Sequence, residues 1–367
     1  MFFFVYCKNI FPKHRNSMKR VMTIVGTRPE LIRLSETIKL LDIYTNHCFV
    51  HTGQNFTPEL HDQFFHDLDL RLPDYQFNKE WLSWFSFIGK MYLDIEEVIN
   101  KENPEIILIL WDTNSALSSY VAKRKKIPVL HMEAGNRCYD ENVPEEVNRR
   151  IVDSLSHYLL PYTQRSREHL LQEWYHPSRI IVTGNPIHEI IKKHSDKIWE
   201  RKIQEEYVLV TLHRDENVGN KENLTSIIEA LINISLSHKV ILSVHPKLEE
   251  MLRKFDIVLP KEIEVSKPFW FHTFLNLEKY ALCVLSDSGT VPEECCIFQT
   301  PCVLLRTSTE RPELLENNSM VLSGIQKKDI LEAFHIAIHT EIGGIPNDYK
   351  DTNTSQKILK LIQRYIS

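Results

Sequence analysis

The chain has 367 residues, 43% hydrophobic and 25% charged, an ordinary globular composition and a length that suits two domains better than one core. A formal net charge of −5 gives no general attraction to nucleic acid or to an anionic membrane. No run is apolar enough to span a bilayer. The seven cysteines form no C-x-x-C pair and no zinc-like spacing, so no metal centre is expected and a reducing, cytoplasmic setting fits.

Residues 1–17, opening "MFFFVYCKNIF", carry neither a basic lead segment nor a small-residue cleavage site. They read as an extension, because Met18 directly precedes "KRVMTIVGTRPE", a natural first strand. Glycine is scarce, with 10 residues, and five of them follow short apolar runs: Gly26, Gly53, Gly135, Gly184 and Gly289. A β-rich run, then glycine, then a helical pattern indicates β-α units on a parallel sheet. The first series comprises "VMTIVG", "NHCFVHTG", "EIILILWD", "PVLHMEAG", "YLLPYT" and "IIVTG". The charged stretch "HEIIKKHSDKIWERKIQEE" connects it to a second: "YVLVTLHRDEN", "KVILSVHP", "IEVSKPF", "YALCVLSDSG" and "PCVLLRTS". The pattern predicts an α/β fold of two Rossmann-like domains, 18–195 and 196–345, facing a central cleft. An amphipathic helix within 346–367 is expected to pack back on the first domain. No G-x-G-x-x-G follows any strand, which argues against a tightly held dinucleotide.

Chemistry-bearing residues cluster after the predicted strands, where ligands of parallel sheets bind. In "VGTRPELIRLS", Pro29 suits the first turn of a helix. Arg28 stands at that helix's N-terminus, where an anion is favoured, and Arg33 lies about a turn further on. Asp112 directly follows the apolar run "ILILW", and a helix cap is the alternative reading. "HMEAGNRCYDENVPEEVNRR" gathers Glu133, Asp140, Glu141, Glu145 and Glu146, either as a solvated loop before a capped helix or as a proton-transfer wall. His213 and Arg214 end the first strand of the second series, as a diphosphate clamp would. Ser288, Gly289 and Thr290 form a small-residue turn suited to phosphate. Glu294 in the next turn suits sugar hydroxyls or the helix dipole. Arg311 of "TERPE" adds a further cation.

In order, GTRPE, HTGQNF, DTNS, HMEAGNR, VPEEVNRR, VTLHRDEN, SDSGTVPEE and TERPE resemble the motifs of the non-hydrolysing UDP-N-acetylglucosamine 2-epimerase family. The resemblance runs from about Met18 to the C-terminus. It is nearest the branch that forms UDP-N-acetyl-L-fucosamine by inverting C2 of UDP-2-acetamido-2,6-dideoxy-L-talose. It implies a GT-B-like fold with UDP held mainly by the second domain, a homodimer, and a role in capsule or O-antigen synthesis. The family's catalytic carboxylates match Asp112, Glu133 and Glu145. The basic residues of its active site match Arg28, Arg33 (lysine in many members) and His213, the last counted with the catalytic set, and its UDP contacts match Ser288, Gly289 and Glu294, with Arg311 nearby. One departure stands out: the family has glycine before this aspartate, and here it is Trp111.

The implied reaction is anti elimination of UDP to a glycal followed by re-addition, which needs carboxylates on both ring faces, cations on the diphosphate and no redox cofactor. The partner is then a UDP-2-acetamido sugar. A hydrolysing 2-epimerase, a GT-B glycosyltransferase and a non-catalytic UDP-sugar binder are the rival readings.

Overall fold

A computed structural model describes residues 18–54, 64–77, 83–141 and 143–365. The extension over 1–17 and the end of the HTGQNF stretch lie outside the described residues. Among the described residues two six-stranded sheets form, and every strand pairing is parallel. The chain divides after Ile190 and after Asn347, so that residues from Asp348 onward belong with the first unit.

The first sheet is built from β1 (Arg20–Val25), β2 (Asn46–His51), β3 (Tyr75–Gln76), β4 (Ile106–Leu110), β5 (Val129–Met132) and β6 (Tyr158–Leu160), in the order β3-β2-β1-β4-β5-β6. The second comprises β7 (Tyr207–Leu212), β8 (Lys239–Val244), β9 (Ile263–Ser266), β10 (Cys283–Ser286), β11 (Cys302–Leu304) and β12 (Met320–Leu322), in the order β12-β11-β10-β7-β8-β9. Both are the doubly wound order of dinucleotide-binding folds. The central strands are apolar at consecutive positions because both faces are covered. All five residues of β4 are buried. In β7, Val208, Val210 and Leu212 join one apolar cluster while Tyr207 and Leu209 join another. That split is the period-two alternation of a strand with helices on both sides.

"IIVTG" does not become a strand of the sheet, contrary to the pattern. Ile180 makes only an isolated bridge to Leu159. Pro161, which ends the β6 stretch, has no N–H to donate, so the ladder cannot continue. In the opposite direction, β3 and β12 span two and three residues and are too short to leave a periodic signal. The C-terminal helix Thr354–Tyr365 packs against the helix Arg28–Tyr44. The Ser355 N–H at its start donates to Glu189 Oε2 at 2.9 Å. None of the described helices is long and apolar enough to cross a membrane.

Leu108 lies in mid-sheet on β4, fully buried between Thr23 of β1 and Leu130 of β5. Leu108→Ala should destabilise the first unit by roughly 2–5 kcal/mol, read as a lowered midpoint in urea unfolding.

Candidate active site

Strand order reverses between β1 and β4 in the first sheet and between β7 and β10 in the second. At such a switch point the loops leave in opposite directions and open a crevice at the carboxyl ends of the strands.

In the first unit the loops after β1, β2 and β4 interlock. A Cβ at Gly26 would lie 1.9 Å from Ser115 Oγ and 2.4 Å from Thr52 Oγ1, so only glycine fits there. Those two hydroxyls share a 2.6 Å hydrogen bond, and Ser115 also donates twice to Gln54 Oε1. Glu30, fully buried at the start of the helix Arg28–Tyr44, takes the N–H of Gly26 at 3.0 Å and of Thr27 at 2.8 Å on Oε2. Its Oε1 takes the Thr113 hydroxyl, which follows β4, at 3.0 Å. Burial pushes the Glu30 carboxyl up to about 7, against the pull of these hydrogen bonds.

Two residues that end adjacent strands are left-handed although neither is glycine: Trp111 at φ +67° and Glu133 at φ +64°. Such a conformation is unfavourable for a side chain, and it gives a physical reason for glycine at the position of Trp111. The Trp111 carbonyl accepts from His131 Nε2 at 2.8 Å, and His131 Nδ1 lies 2.7 Å from Asp153 Oδ1. Asp153, fully buried, also takes the Gly135 N–H and Arg137 Nη2. Burial opposes its charge, but His131 and Arg137 hold the carboxyl below its ordinary range. Arg137 continues to Glu173 through bonds of 2.7 and 2.6 Å. The strand ends therefore rest on a buried ionic network.

Around this frame, Glu133 is buried and its Oε1 accepts from Asn136 Nδ2 at 2.6 Å. Asp112 Oδ2 pairs with Arg149 Nη2 at 2.7 Å, and its carbonyl takes the Asn148 amide. Both partners lie on the helix Pro144–Leu155, whose first turn carries Glu145 and Glu146. Glu145 is half-buried. Glu146 is buried; it takes the Cys138 N–H at 3.1 Å and pairs with Arg149, so it ties the loop to the helix as well as favouring the helix dipole. Asp112, Glu133 and Glu145 thus come from three neighbouring segments joined by one network. Arg28 is half-buried with its guanidinium 5.9 Å from the centroid of the Phe64 ring, while Arg33 is buried.

In the second unit, Asp287 follows β10 and reaches across to the end of β7, accepting the N–H groups of His213 and Arg214. The next residues form the small turn: Ser288 Oγ meets Thr290 Oγ1 at 3.2 Å and accepts the Thr290 N–H. A Cβ at Gly289 would fall 2.7 Å from Glu310 Oε1 and 3.9 Å from Arg214 Nη2, so the turns after β7 and β10 and the TERPE loop meet here. Glu310 is held by Arg306 at 3.1 Å. Arg311 is buried, with Nε 2.5 Å from Glu293 Oε1, and Glu294 is buried in the first turn of the helix Val291–Phe298. The pairing with Glu293 occupies part of the Arg311 guanidinium that the sequence suggested for a diphosphate. No group of three His, Cys, Asp or Glu side chains among the described residues has metal-binding geometry.

Sequence reasoning missed Glu30, His131, Asp153, Asp287 and Glu310. Each is a polar residue inside or beside a motif, and only the fold shows that it is buried.

The sequence profile of the UDP-N-acetylglucosamine 2-epimerase family matches residues 42–363. The chain belongs to this family. It is 34% identical over 362 residues to the UDP-N-acetylglucosamine 2-epimerase of Methanocaldococcus jannaschii, covering 94% of this chain and 98% of the relative. The UDP-2,3-diacetamido-2,3-dideoxy-D-glucuronate 2-epimerase of Pseudomonas aeruginosa is 30% identical over 354 residues, 94% of this chain and 99% of its own. The crystal structure of the Methanocaldococcus jannaschii UDP-GlcNAc 2-epimerase in complex with UDP-GlcNAc and UDP superposes with a TM-score of 0.89 at 34% identity, over 94% of this chain and 99% of that one. Family membership makes the chain an isomerase with a GT-B-like, two-domain α/β fold.

The raised Glu30 carboxyl carries a pH dependence with a definite sign. Below its ordinary value of 4.5 it is protonated folded and unfolded; above about 7 the folded chain must bury the charge. Relative to Glu30→Gln, the wild type should therefore lose roughly 3 kcal/mol of stability as pH rises through this window. Unfolding of both proteins at pH 4.5 and 7.5 checks it.

Proposed function

We propose that this chain inverts C2 of a UDP-2-acetamido sugar by anti elimination of UDP and re-addition to a glycal. C2 of such a sugar is not adjacent to a carbonyl, so direct removal of its proton would leave an unstabilised carbanion. Breaking the C1–O bond first builds oxocarbenium character, which makes loss of that proton feasible. One carboxylate must take the proton and another must return it on the opposite face. Cations and N–H groups must hold UDP while it is detached.

The observation that carries this reading is the sorting of residues between the two switch points. Asp112, Glu133 and Glu145 come from the first unit's loops and helix, all acidic, with Asp112 paired to the buried Arg149 and the loop after β5 held by the His131–Asp153–Arg137 network. His213, Arg214, Ser288, Gly289 and Thr290 come from the second unit's strand ends, where an imidazole and a guanidinium lie beside a small-residue turn, a grouping suited to a diphosphate. We assign the proton transfers to the first group. UDP binding falls to the second, with Glu294 for the ribose, and Arg28, Arg33 and Arg311 supply further charge.

Two sugars head the substrate range. The relatives' names support UDP-N-acetylglucosamine, and the "HMEAGNRCYDENVPEEVNRR" and "DTNS" stretches support the 6-deoxy-L-talose precursor of UDP-N-acetyl-L-fucosamine. We place the enzyme in the cytoplasm, feeding surface polysaccharide synthesis. A homodimer fits the exposed apolar side chains Phe85 and Leu93 on the helix Trp84–Glu102 and Tyr120 on the neighbouring helix Ser119–Arg124. A second copy would cover this surface.

NMR in D₂O with each of the two sugars should show deuterium entering C2 of at least one. Glu133→Gln and Glu145→Gln should each slow this exchange by about 10²-fold or more, with UDP affinity by calorimetry unchanged. Release of free amino sugar, or no exchange with either substrate, would contradict the proposal.

A further inference from the structure

We infer that Asp287 is a positioning residue for this reaction, holding His213 and Arg214 in the orientation in which they meet the diphosphate; the inference rests on the function proposed above. Asp287 lies at the end of β10, fully buried, opposite the end of β7. Its Oδ1 is 3.1 Å from the His213 N–H nitrogen, and its Oδ2 takes the Arg214 N–H at 3.0 Å and Asn217 Nδ2 at 3.2 Å. Asn217 Nδ2 also donates to the Leu305 carbonyl at 2.9 Å, which ties the arrangement to the end of β11.

A cap on the short helix Asp215–Val218 would account for the backbone bonds alone. It would not account for the side chain. His213 Nδ1 also lies 3.2 Å from Asp287 Oδ1, while the His213 side chain stays 44% exposed. At that ion-pair distance the carboxylate favours the tautomer that carries its proton on Nδ1. Fixing the far nitrogen of an imidazole is how second partners set the tautomer and aim of a working histidine. The same residue orders the backbone of Arg214, whose Nη2 approaches the Gly289 turn. One buried carboxylate thereby sets a cation and an imidazole beside the Gly289 turn at the switch point.

The test uses the full-length chain as wild type, Asp287→Asn, His213→Asn and the double variant. Three quantities are read: C2 exchange with UDP-N-acetylglucosamine and the 6-deoxy-L-talose substrate, thermal stability, and the His213 tautomer by nitrogen-15 NMR. Wild-type His213 is expected as the Nδ1–H tautomer, and Asp287→Asn should lose that preference. Asp287→Asn should lower kcat for exchange about 30–100-fold with KM changed less than about 3-fold, and should cost under about 3-fold in the His213→Asn background. Equal losses in both backgrounds, in step with the fraction unfolded, would reduce Asp287 to a structural cap. An Nε2–H tautomer in the wild type would overturn the proposal whether or not any variant folds. A wild type inert toward both sugars would instead sink the reaction, while the tautomer still decides the role of Asp287.

Discussion

In each sheet a buried carboxylate spans the point where the strand order reverses. Glu30, after β1, reaches the Thr113 hydroxyl after β4; Asp287, after β10, reaches the backbone of His213 and Arg214 after β7. Parting loops at a switch point leave helix-start N–H groups without partners, and an acceptor there satisfies them while fixing the crevice wall. The two solutions differ in chemistry. Glu30 accepts from backbone N–H groups and two hydroxyls, and burial raises it to about 7. Asp287 accepts from backbone and amide N–H groups, with the His213 imidazole at ion-pair distance.

The acidic half rests on a second buried carboxylate, Asp153. Its partners His131, Arg137 and the Gly135 N–H lie on or just after β5, and His131 passes the support to the Trp111 carbonyl beside Asp112. That support helps explain how Trp111 and Glu133 keep left-handed backbones that cost of order 1–3 kcal/mol each. Removing one member of such a network leaves an uncompensated buried charge, so the network holds as a unit. Strain concentrated beside two of the proposed proton-transfer carboxylates is the pattern expected where geometry serves chemistry before stability.

Much of this was legible in the sequence. Apolar runs located most of the strands, and those of β1, β2, β5 and β10 lead into a glycine, because a parallel sheet buried on both faces needs consecutive apolar residues and a turn needs small ones. "IIVTG" misled because Pro161, in the neighbouring stretch, withdraws a donor that no local pattern reveals. The motif residues were legible as chemistry, but their roles divided only with the fold: Glu145 and Glu146 are adjacent, yet one is half-buried and the other buried against Arg149. Asp153 was invisible because its helix reads as an ordinary amphipathic one. Asp287 sat in plain view within "SDSG", and only the strand order shows that it faces His213.

Departure and return of UDP can be followed directly. UDP-N-acetylglucosamine, or the 6-deoxy-L-talose substrate, is labelled with oxygen-18 at the bridge between C1 and the β-phosphorus, then incubated with the chain in D₂O. If the C1–O bond breaks, the freed β-phosphate rotates before it adds back. Label should then scramble into the non-bridging positions at a rate comparable to deuterium entry at C2. Deuterium accumulating at C2 while the label stays at the bridge would contradict elimination of UDP.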